Sequence, residues 1–309
     1  MLRLQAEYLL LRTRHPFIIA RGGQSDYKTV WVRLTDGNGH EGWGEAAPTK
    51  FYGETPETVM EVLQTYAQHL PADPFDLEET DRRLETALRG NPSARAALSA
   101  AMHDLVGKRL GVPVYKLWGL DPAKAPMSTF TIGIDTPERI RMKVQEAAEY
   151  PILKIKLGSD RDLEILQTIR DATDRELRVD ANCGWTVKHT IQMLPVLEEF
   201  GVTVLEQPLV PTDVEGLGVI RMAASIPIIA DESCRTASDI PGLVGQVDGI
   251  NIKLAKCGSL REAIRMIAVA RAHHMTVMVG CMIESSLAIT AAAHFTPLVD
   301  IVDLDEAGR

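Results

Sequence analysis

Charged residues recur at a nearly constant interval through the second half of this chain. From Lys156, the steps to Asp180, Glu206, Asp231 and Lys253 are 24, 26, 25 and 22 residues. Each of these residues closes a short run rich in Val, Ile and Leu, and a helix-like segment follows each run. The interval matches one strand plus one helix, so the pattern predicts successive strands that each end in a charge. Packing alone does not explain charge at every strand end, which points to one shared site.

Eight strand candidates alternate with helical segments from residue 127 onward. Alternating strands and helices favour parallel strands joined by right-handed crossovers. Eight such units close most economically into an α/β fold of the (β/α) barrel type, with chemistry at the carboxyl ends of the strands. An open doubly wound sheet is the alternative, but no Gly-rich phosphate fingerprint follows the first strand. The candidates are residues 128–133, 152–158, 176–182, 202–208, 226–232, 249–255, 276–282 and 300–306.

The sequence pattern of residues 1–125 differs from the rest of the chain and predicts a separate α+β module. This module precedes the barrel of residues 126–309. Two alternating segments, 2–12 and 28–36, predict strands, and the sequence DGNG after the second one predicts a hairpin turn. Three helices are predicted to follow. The first begins at Thr55 as the cap with Pro at the first helical position, and the other two cover residues 77–90 and 92–111.

Composition and charge exclude several classes of protein. A net charge of −9 argues against nucleic-acid partners and against anionic membrane surfaces. The sequence has neither the pattern of a signal peptide nor an apolar stretch long enough to span a membrane. The four cysteines form no CxxC pair and suit a reducing compartment. We therefore expect a cytoplasmic protein that binds neither nucleic acid nor membrane.

The three acidic strand ends predict a metal site. Asp180, Glu206 and Asp231 would converge from adjacent strands, where three carboxylates without a counter-ion would repel one another and resist ionisation. Oxygen ligands favour Mg²⁺, with Mn²⁺ as the alternative. Surface acids at loop starts are the other interpretation, but three in register on consecutive strands favour the metal.

The lysines on either side predict acid–base chemistry. Lys154 and Lys156 share one face of a strand, and Lys253 lies on a strand roughly across the barrel mouth. A proton next to a carboxylate is very weakly acidic, and its removal requires positive charge at the developing enediolate. We expect nearby positive charge and desolvation to lower the pKa of a lysine that serves as base. Solvated lysines at strand ends are the alternative interpretation.

Several motifs together carry a resemblance to a known family. They are GWGEAAPT in the first module and KIK, DAN, EQP, ADES, NIKLAKCG, GCMIESSLAITAAAHF and DLD in the barrel. The chain resembles the enolase superfamily, in its muconate-lactonizing branch, and most closely the dipeptide epimerases. The resemblance implies a modified TIM barrel with an N-terminal capping domain. It also implies a Mg²⁺-dependent isomerase that inverts the α-carbon of the C-terminal residue of a dipeptide by two-base proton transfer.

The resemblance also implies roles for individual side chains. Lys156 would exchange the proton of the (R) substrate and Lys253 that of the (S) substrate. Asp303 and Asp305 would hold the substrate ammonium, and their i, i+2 spacing on the final strand turns both inward. The remaining substrate contacts that it implies are Thr129, Lys154, Cys281, Ile283 and, for an acidic substrate side chain, Arg21.

Alternatives to this interpretation stay open at the level of sequence. An o-succinylbenzoate synthase or cycloisomerase of the same branch would have no need of the DLD pair, and a non-catalytic metal-binding barrel would have no need of two bases. Asp26 or Glu54 could favour a basic substrate side chain instead of an acidic one. The family continues beyond the last strand, so the tail here is predicted to be short or missing. Family resemblance further implies a homo-oligomer.

Overall fold

The N-terminal unit of the computed structural model, which describes residues 2–305, is an antiparallel sheet covered by helices. The sheet order is β1-β2-β3, with strands β1 (Arg3–Ile19), β2 (Gly22–Thr35) and β3 (Glu41–Ala46). Four helices follow, α1 (Pro56–Tyr66), α2 (Leu77–Ala87), α3 (Pro92–Leu110) and α4 (Val114–Leu117). Thr55 caps α1 by accepting a hydrogen bond from Thr58 N, as its sequence position predicted.

Two glycines let helix α3 pack directly on strand β3. A Cβ added at Gly42 would lie 2.0 Å from Ala101 O, and one added at Gly44 would lie 2.0 Å from Ala97 O. Only glycine fits such a close backbone approach. The alanine-rich face of α3 is therefore buried against the sheet, and the same helix also packs on the barrel through α10 and α11.

The second unit is an eight-stranded parallel sheet whose strands follow one another in chain order. Parallel bridge pairing of Ser128 with Val302 joins its first and last strands. The (β/α) barrel with an N-terminal α+β domain is thus confirmed, and the open doubly wound alternative is wrong. The barrel strands are β4 (Phe130–Ile132), β5 (Ile152–Lys156), β6 (Glu176–Asp180), β7 (Val202–Glu206), β8 (Ile228–Ala230), β9 (Gly249–Ile252), β10 (Thr276–Gly280) and β11 (Ile301–Asp303).

Helices surround the barrel and bury its outer face. They are α5 (Pro137–Glu146), α6 (Asp162–Ala172), α7 (Val187–Glu199), α8 (Val214–Ala223), α9 (Ile240–Leu243), α10 (Leu254–Cys257), α11 (Leu260–Ala272) and α12 (Ser286–Ala293). Among residues 2–305, no helix has the length and apolar character needed to cross a membrane. We propose residue 125, just after the 3₁₀ turn Pro122–Lys124, as the boundary between the two units. The expectation about the tail, residues 306–309, lies outside the described part of the chain.

Side chains inside the barrel form an apolar layer and a polar layer. Val204, Ile229, Met278 and Ile301 make up a small buried cluster that is separate from the main core. Because strand side chains alternate, the residues two positions further along face the same way. Those positions include Glu206, Asp231 and Asp303, all of them buried. The apolar layer therefore forms the floor beneath a charged site.

Buried His103 in α3 predicts a pH-dependent loss of stability. Burial lowers the pKa of His103 from 6.5 to about 4, so the unfolded chain binds this proton more tightly than the folded chain does. Its contribution to stability is lost as pH falls from 6.5 to about 4, by about 3 kcal/mol. In a His103→Asn variant the amide can still donate a hydrogen bond to Ser99 O, which His103 Nδ1 contacts at 2.7 Å. The amide does not titrate in this pH range.

We expect the stability of the wild type relative to His103→Asn to fall by about 3 kcal/mol between pH 7 and pH 4. Urea unfolding at a series of pH values measures it. A stability difference that does not change with pH would contradict the assignment of the buried neutral imidazole.

Candidate active site

Three carboxylates meet at the carboxyl ends of neighbouring barrel strands. Asp180 ends β6, Glu206 ends β7 and Asp231 follows β8. All three are buried, and one oxygen from each lies within 4.8 Å of the others. Asp180 and Glu206 are direct register partners in the sheet, which places them side by side. This arrangement could hold a metal ion, as the sequence predicted.

The donor set around this cluster suits a hard divalent cation. All three candidate ligands are carboxylates, which Mg²⁺ and Mn²⁺ prefer. Glu206 Oε2 is buried without a properly oriented hydrogen bond, although Lys154 Nζ lies 2.6 Å away. Asn182 Oδ1 and Asn251 Oδ1 are also buried acceptors without a donor among residues 2–305. Buried oxygens that accept no hydrogen bond need another partner, and a cation bound by the acidic cluster would provide one.

Two lysines bracket this row of carboxylates. Lys156, on β5, contacts Asp180 Oδ2 at 2.7 Å, and Lys253, just after β9, contacts Asp231 Oδ2 at 2.7 Å. Along the barrel wall the side chains follow strand order, with one lysine before the first carboxylate and one after the last. Both lysines are buried. The structure therefore brings together all five residues of the periodic sequence pattern.

Burial and the lysines have opposite effects on the carboxylates. Burial would raise the pKa of Asp180, but Lys156 and Lys154 lower it below its usual value. Burial acts on Asp231 in the same way, and there Lys253 and Lys256 lower the pKa strongly. Asp180 and Asp231 therefore do not lack counter-ions, and their ammonium partners stabilise the ionised form of each.

Glu206 keeps the behaviour that the sequence predicted. Burial, and then the neighbouring charge of Asp180, raise the pKa of Glu206 to about 7. For Lys253, burial lowers the pKa as expected, but Asp231 and Glu206 outweigh burial and raise it well above its usual value. The predicted lowering of this pKa is therefore wrong while Asp231 faces the ammonium, since the carboxylates stabilise its charged form.

Sequence reasoning missed two buried residues that support the cluster. Lys256 Nζ donates to Asp231 Oδ1 at 2.5 Å, to Cys234 O at 2.9 Å and to Asn251 O at 2.8 Å. Asn251 Nδ2 donates to Glu206 Oε1 at 2.7 Å. The signal for Asn251 was its i, i+2 spacing from Lys253, which turns both side chains inward.

Asp303 is tied to the acidic cluster through Lys154. Lys154 Nζ lies 2.7 Å from Asp303 Oδ2 as well as 2.6 Å from Glu206 Oε2. Thr129 Oγ1 and Thr131 Oγ1 both donate to Asp303 Oδ1. Burial would raise the pKa of Asp303, but Lys154, then Lys156, and the hydrogen bond from Thr129 lower it. Asp303 thus already has a buried cationic partner.

Asp305 contacts Thr131, as Asp303 does. Its Oδ2 accepts a hydrogen bond from Thr131 N at 2.5 Å, and the residue is buried. Cys281 and Ile283 lie in the loop after β10, where Cys281 Sγ donates to Asp303 O at 3.5 Å. This contact joins the loop after β10 to the last strand of the barrel.

Arg21 reaches the site from the capping domain, whereas the two alternative acids do not. Arg21 Nη1 lies 2.8 Å from Glu232 Oε1, next to the acidic cluster. Asp26 instead pairs with Arg12 on the exposed part of the hairpin. Glu54, which comes just before α1, is buried against the first turn of α3. There its carboxylate accepts hydrogen bonds from the backbone N and the hydroxyl of Ser93. Both therefore have structural partners outside the barrel mouth, so the proposal that they favour a basic substrate side chain is not supported.

Two protein families match this chain over nearly its whole length. Residues 7–119 match the mandelate racemase/muconate lactonizing enzyme N-terminal domain, and residues 138–306 match the enolase C-terminal domain-like family. The chain belongs to the enolase superfamily. The resemblance carried by the sequence motifs is thereby confirmed, and the acidic cluster lies in the part of the chain that matches the enolase-like domain.

Several relatives with curated names that this chain matches are dipeptide epimerases. The L-Ala-D/L-Glu epimerase of Bacteroides thetaiotaomicron is 42% identical over 297 residues, which cover 96% of this chain and 77% of the relative. A hydrophobic dipeptide epimerase of a Flavobacteria bacterium is 39% identical over 307 residues, covering 96% and 86%. The dipeptide epimerase of Enterococcus faecalis, solved with Mg and L-Leu-L-Tyr, superposes with a TM-score of 0.93 at 32% identity, covering 99% and 89%.

Proposed function

We propose that this protein is a Mg²⁺-dependent dipeptide epimerase, an isomerase acting on amino-acid derivatives. The observation that carries the proposal is the row of three buried carboxylates with Lys156 at one end and Lys253 at the other. Relatives named dipeptide epimerases, and a similar structure solved with Mg and a dipeptide, support the same function.

The two lysines divide the proton transfer between the two faces of the substrate α-carbon. In one direction, the neutral amine of Lys156 takes the α-proton, and the C–H electron pair moves into the carboxylate to give an enediolate. The ammonium of Lys253 then returns a proton to the opposite face, which inverts the centre. The reverse direction exchanges the two roles. Asp180, Glu206 and Asp231 would hold Mg²⁺, which would supply positive charge where the enediolate oxygens become negative.

We further propose that the side chains around the cluster bind the ends of the dipeptide. Lys154, fixed between Glu206 and Asp303, offers its ammonium to the reacting carboxylate, and Thr129 supports the same region. Asp305, with Asp303, would receive the free α-ammonium. The other proposed substrate contacts are the main-chain groups of Cys281 and Ile283 and the side chain of Arg21.

A dipeptide screen in deuterium oxide tests the reaction directly. We expect Mg²⁺-dependent deuterium incorporation at the α-carbon of the C-terminal residue, measured by proton NMR, with some combination of acidic and hydrophobic side chains. Chelation of the metal should stop it, and added Mg²⁺ should restore it. A complete lack of Mg²⁺-dependent exchange across the library would overturn the proposed function. The screen also determines the preferred side chain, on which the named relatives differ.

A further inference from the structure

The tip of the β1–β2 hairpin lies across the mouth of the barrel. Ile18 O accepts a hydrogen bond at 2.9 Å from Ile134 N, in the loop after β4. A Cβ added at Gly158 would lie 2.6 Å from the Cβ of Ala20, and one at Gly184 would lie 2.8 Å from the same atom. The tip therefore touches the loops that follow β4, β5 and β6, and it does so through glycines that allow close approach.

Arg21, the next residue in this tip, connects it to the loops after two of the strands that carry the acidic cluster. Its Nη1 donates to Asn182 O at 2.7 Å, just after β6, and contacts Glu232 Oε1 at 2.8 Å, just after β8. The guanidinium also lies 4.3 Å from the centre of the ring of Phe51, which belongs to the 3₁₀ turn Lys50–Tyr52 of the capping domain. One side chain thus holds four separate segments together above the cluster.

Glu232 has no part in the proton transfer proposed above, yet its side chain is almost completely buried. Its side chain is 2% exposed, and Arg21 is the cation within 4.0 Å of it among residues 2–305. Glu232 Oε2 has no hydrogen-bond partner in the same described range. A buried carboxylate with a single cationic partner is stable only while that partner stays in place. The positions of Arg21 and Glu232 therefore depend on each other.

We propose that Glu232 is a positioning residue, which fixes the guanidinium of Arg21 against the barrel and so holds the hairpin tip over the bound dipeptide. This role rests on the proposed epimerase function. Glu232 acts through Arg21 and not through the reacting atoms, because its contacts run outward to the capping domain. It should therefore affect substrate binding more than the rate of proton transfer.

Glu232→Gln separates these two effects, since it keeps the volume of the side chain and removes its charge. We expect KM for the preferred dipeptide to rise by at least about tenfold, because one partner of a buried charge pair is lost, with kcat changed less than about twofold. The dissociation constant for Mg²⁺, measured by titration calorimetry, should also stay within about twofold. Weaker Mg²⁺ binding, or a lower kcat at unchanged KM, would show instead that Glu232 acts on the metal cluster.

A double variant tests whether Glu232 works through Arg21. We expect Arg21→Met to raise KM, and Glu232→Gln to add less than about a further twofold in the Arg21→Met background. Independent, multiplying effects on KM would overturn the proposal. If Glu232→Gln does not fold, Glu232→Asp serves in its place, because the shorter side chain keeps the charge but withdraws it from Arg21. Arg12→Met breaks the exposed pair with Asp26 in the same hairpin and should leave KM unchanged.

Hydrogen exchange of residues 18–23 distinguishes this proposal from the proposed function. We expect faster exchange there in Glu232→Gln than in the wild type or in Arg12→Met, without any substrate present. If no dipeptide is epimerised but exchange at the tip still increases, the epimerase function fails and the positioning of the hairpin stands. Unchanged exchange at the tip overturns the positioning role even if the enzyme is active.

Discussion

Replacing Lys253 by Ala is expected to lower the rate of epimerisation by about 10²–10⁴-fold, the usual contribution of a positioned acid–base group. Lys156 remains able to remove the proton on its own side, so α-proton exchange of the (R) substrate should continue without inversion. Lys156→Ala should give the mirror result and retain exchange of the (S) substrate only. Proton NMR in deuterium oxide with each stereoisomer separately measures both effects.

Two control variants separate loss of the base from loss of charge. Lys253→Arg keeps a cation beside Asp231 but cannot act as a base, because a guanidinium does not lose its proton in proteins. It should therefore be as inactive in epimerisation as the alanine variant. Lys143→Met removes a different buried lysine, paired with Asp135 on the outer side of the barrel, and should retain kcat. Full activity in Lys253→Arg would exclude a basic role for Lys253.

Replacing Asp180 by Asn is expected to weaken Mg²⁺ binding by at least about 100-fold, since even groups that only support ligands are worth 10–100-fold in affinity. Epimerisation should fall with it at any practical concentration of Mg²⁺. The amide keeps the size of the carboxylate, and the hydrogen bond from Asn182 N to Oδ1, 2.8 Å long, can persist. Titration calorimetry measures the affinity, and thermal melting checks that the variant folds.

Glu176→Gln is the matched control for Asp180→Asn, since both residues lie on β6. Glu176 begins the strand at the opposite end of the barrel and contacts Arg178 and Thr203. We expect this variant to bind Mg²⁺ and to epimerise dipeptides like the wild type. Equal loss of Mg²⁺ affinity in the two variants would mean that any change in this strand disturbs the site, and it would remove the specific role of Asp180.

Much of the site could be predicted because its residues recur at the interval of one strand-plus-helix unit. A strand places its last residue at the barrel mouth, and each strand-plus-helix unit repeats that placement, so the order from Lys156 to Lys253 in sequence is also their order around the wall. Local rules were also sufficient for the start of α1, where Thr55 and Pro56 determine the first turn. These features depend on neighbouring residues in the chain, which a sequence displays directly.

The contacts that tune the site could not be predicted in the same way. Lys256 lies three residues after Lys253 on a short helix, and only the packing of that helix brings its ammonium to Asp231. The pKa of Lys253 is raised and not lowered because Asp231 lies 2.7 Å away. Spacing along the chain predicts on which face of a strand a side chain lies, but it does not predict the distance between two side chains on different strands.

The sequence alone determined that this chain forms a (β/α) barrel with acids and lysines at one end, because alternating apolar runs and their charged last residues specify strands and the direction in which they end. Only the tertiary structure decided which charges neutralise one another. It placed Lys154 between Glu206 and Asp303, and it brought Arg21 from the capping domain to Glu232. Such pairs join residues more than 50 positions apart, and their distances exist only after the barrel has closed and the capping domain has packed on it.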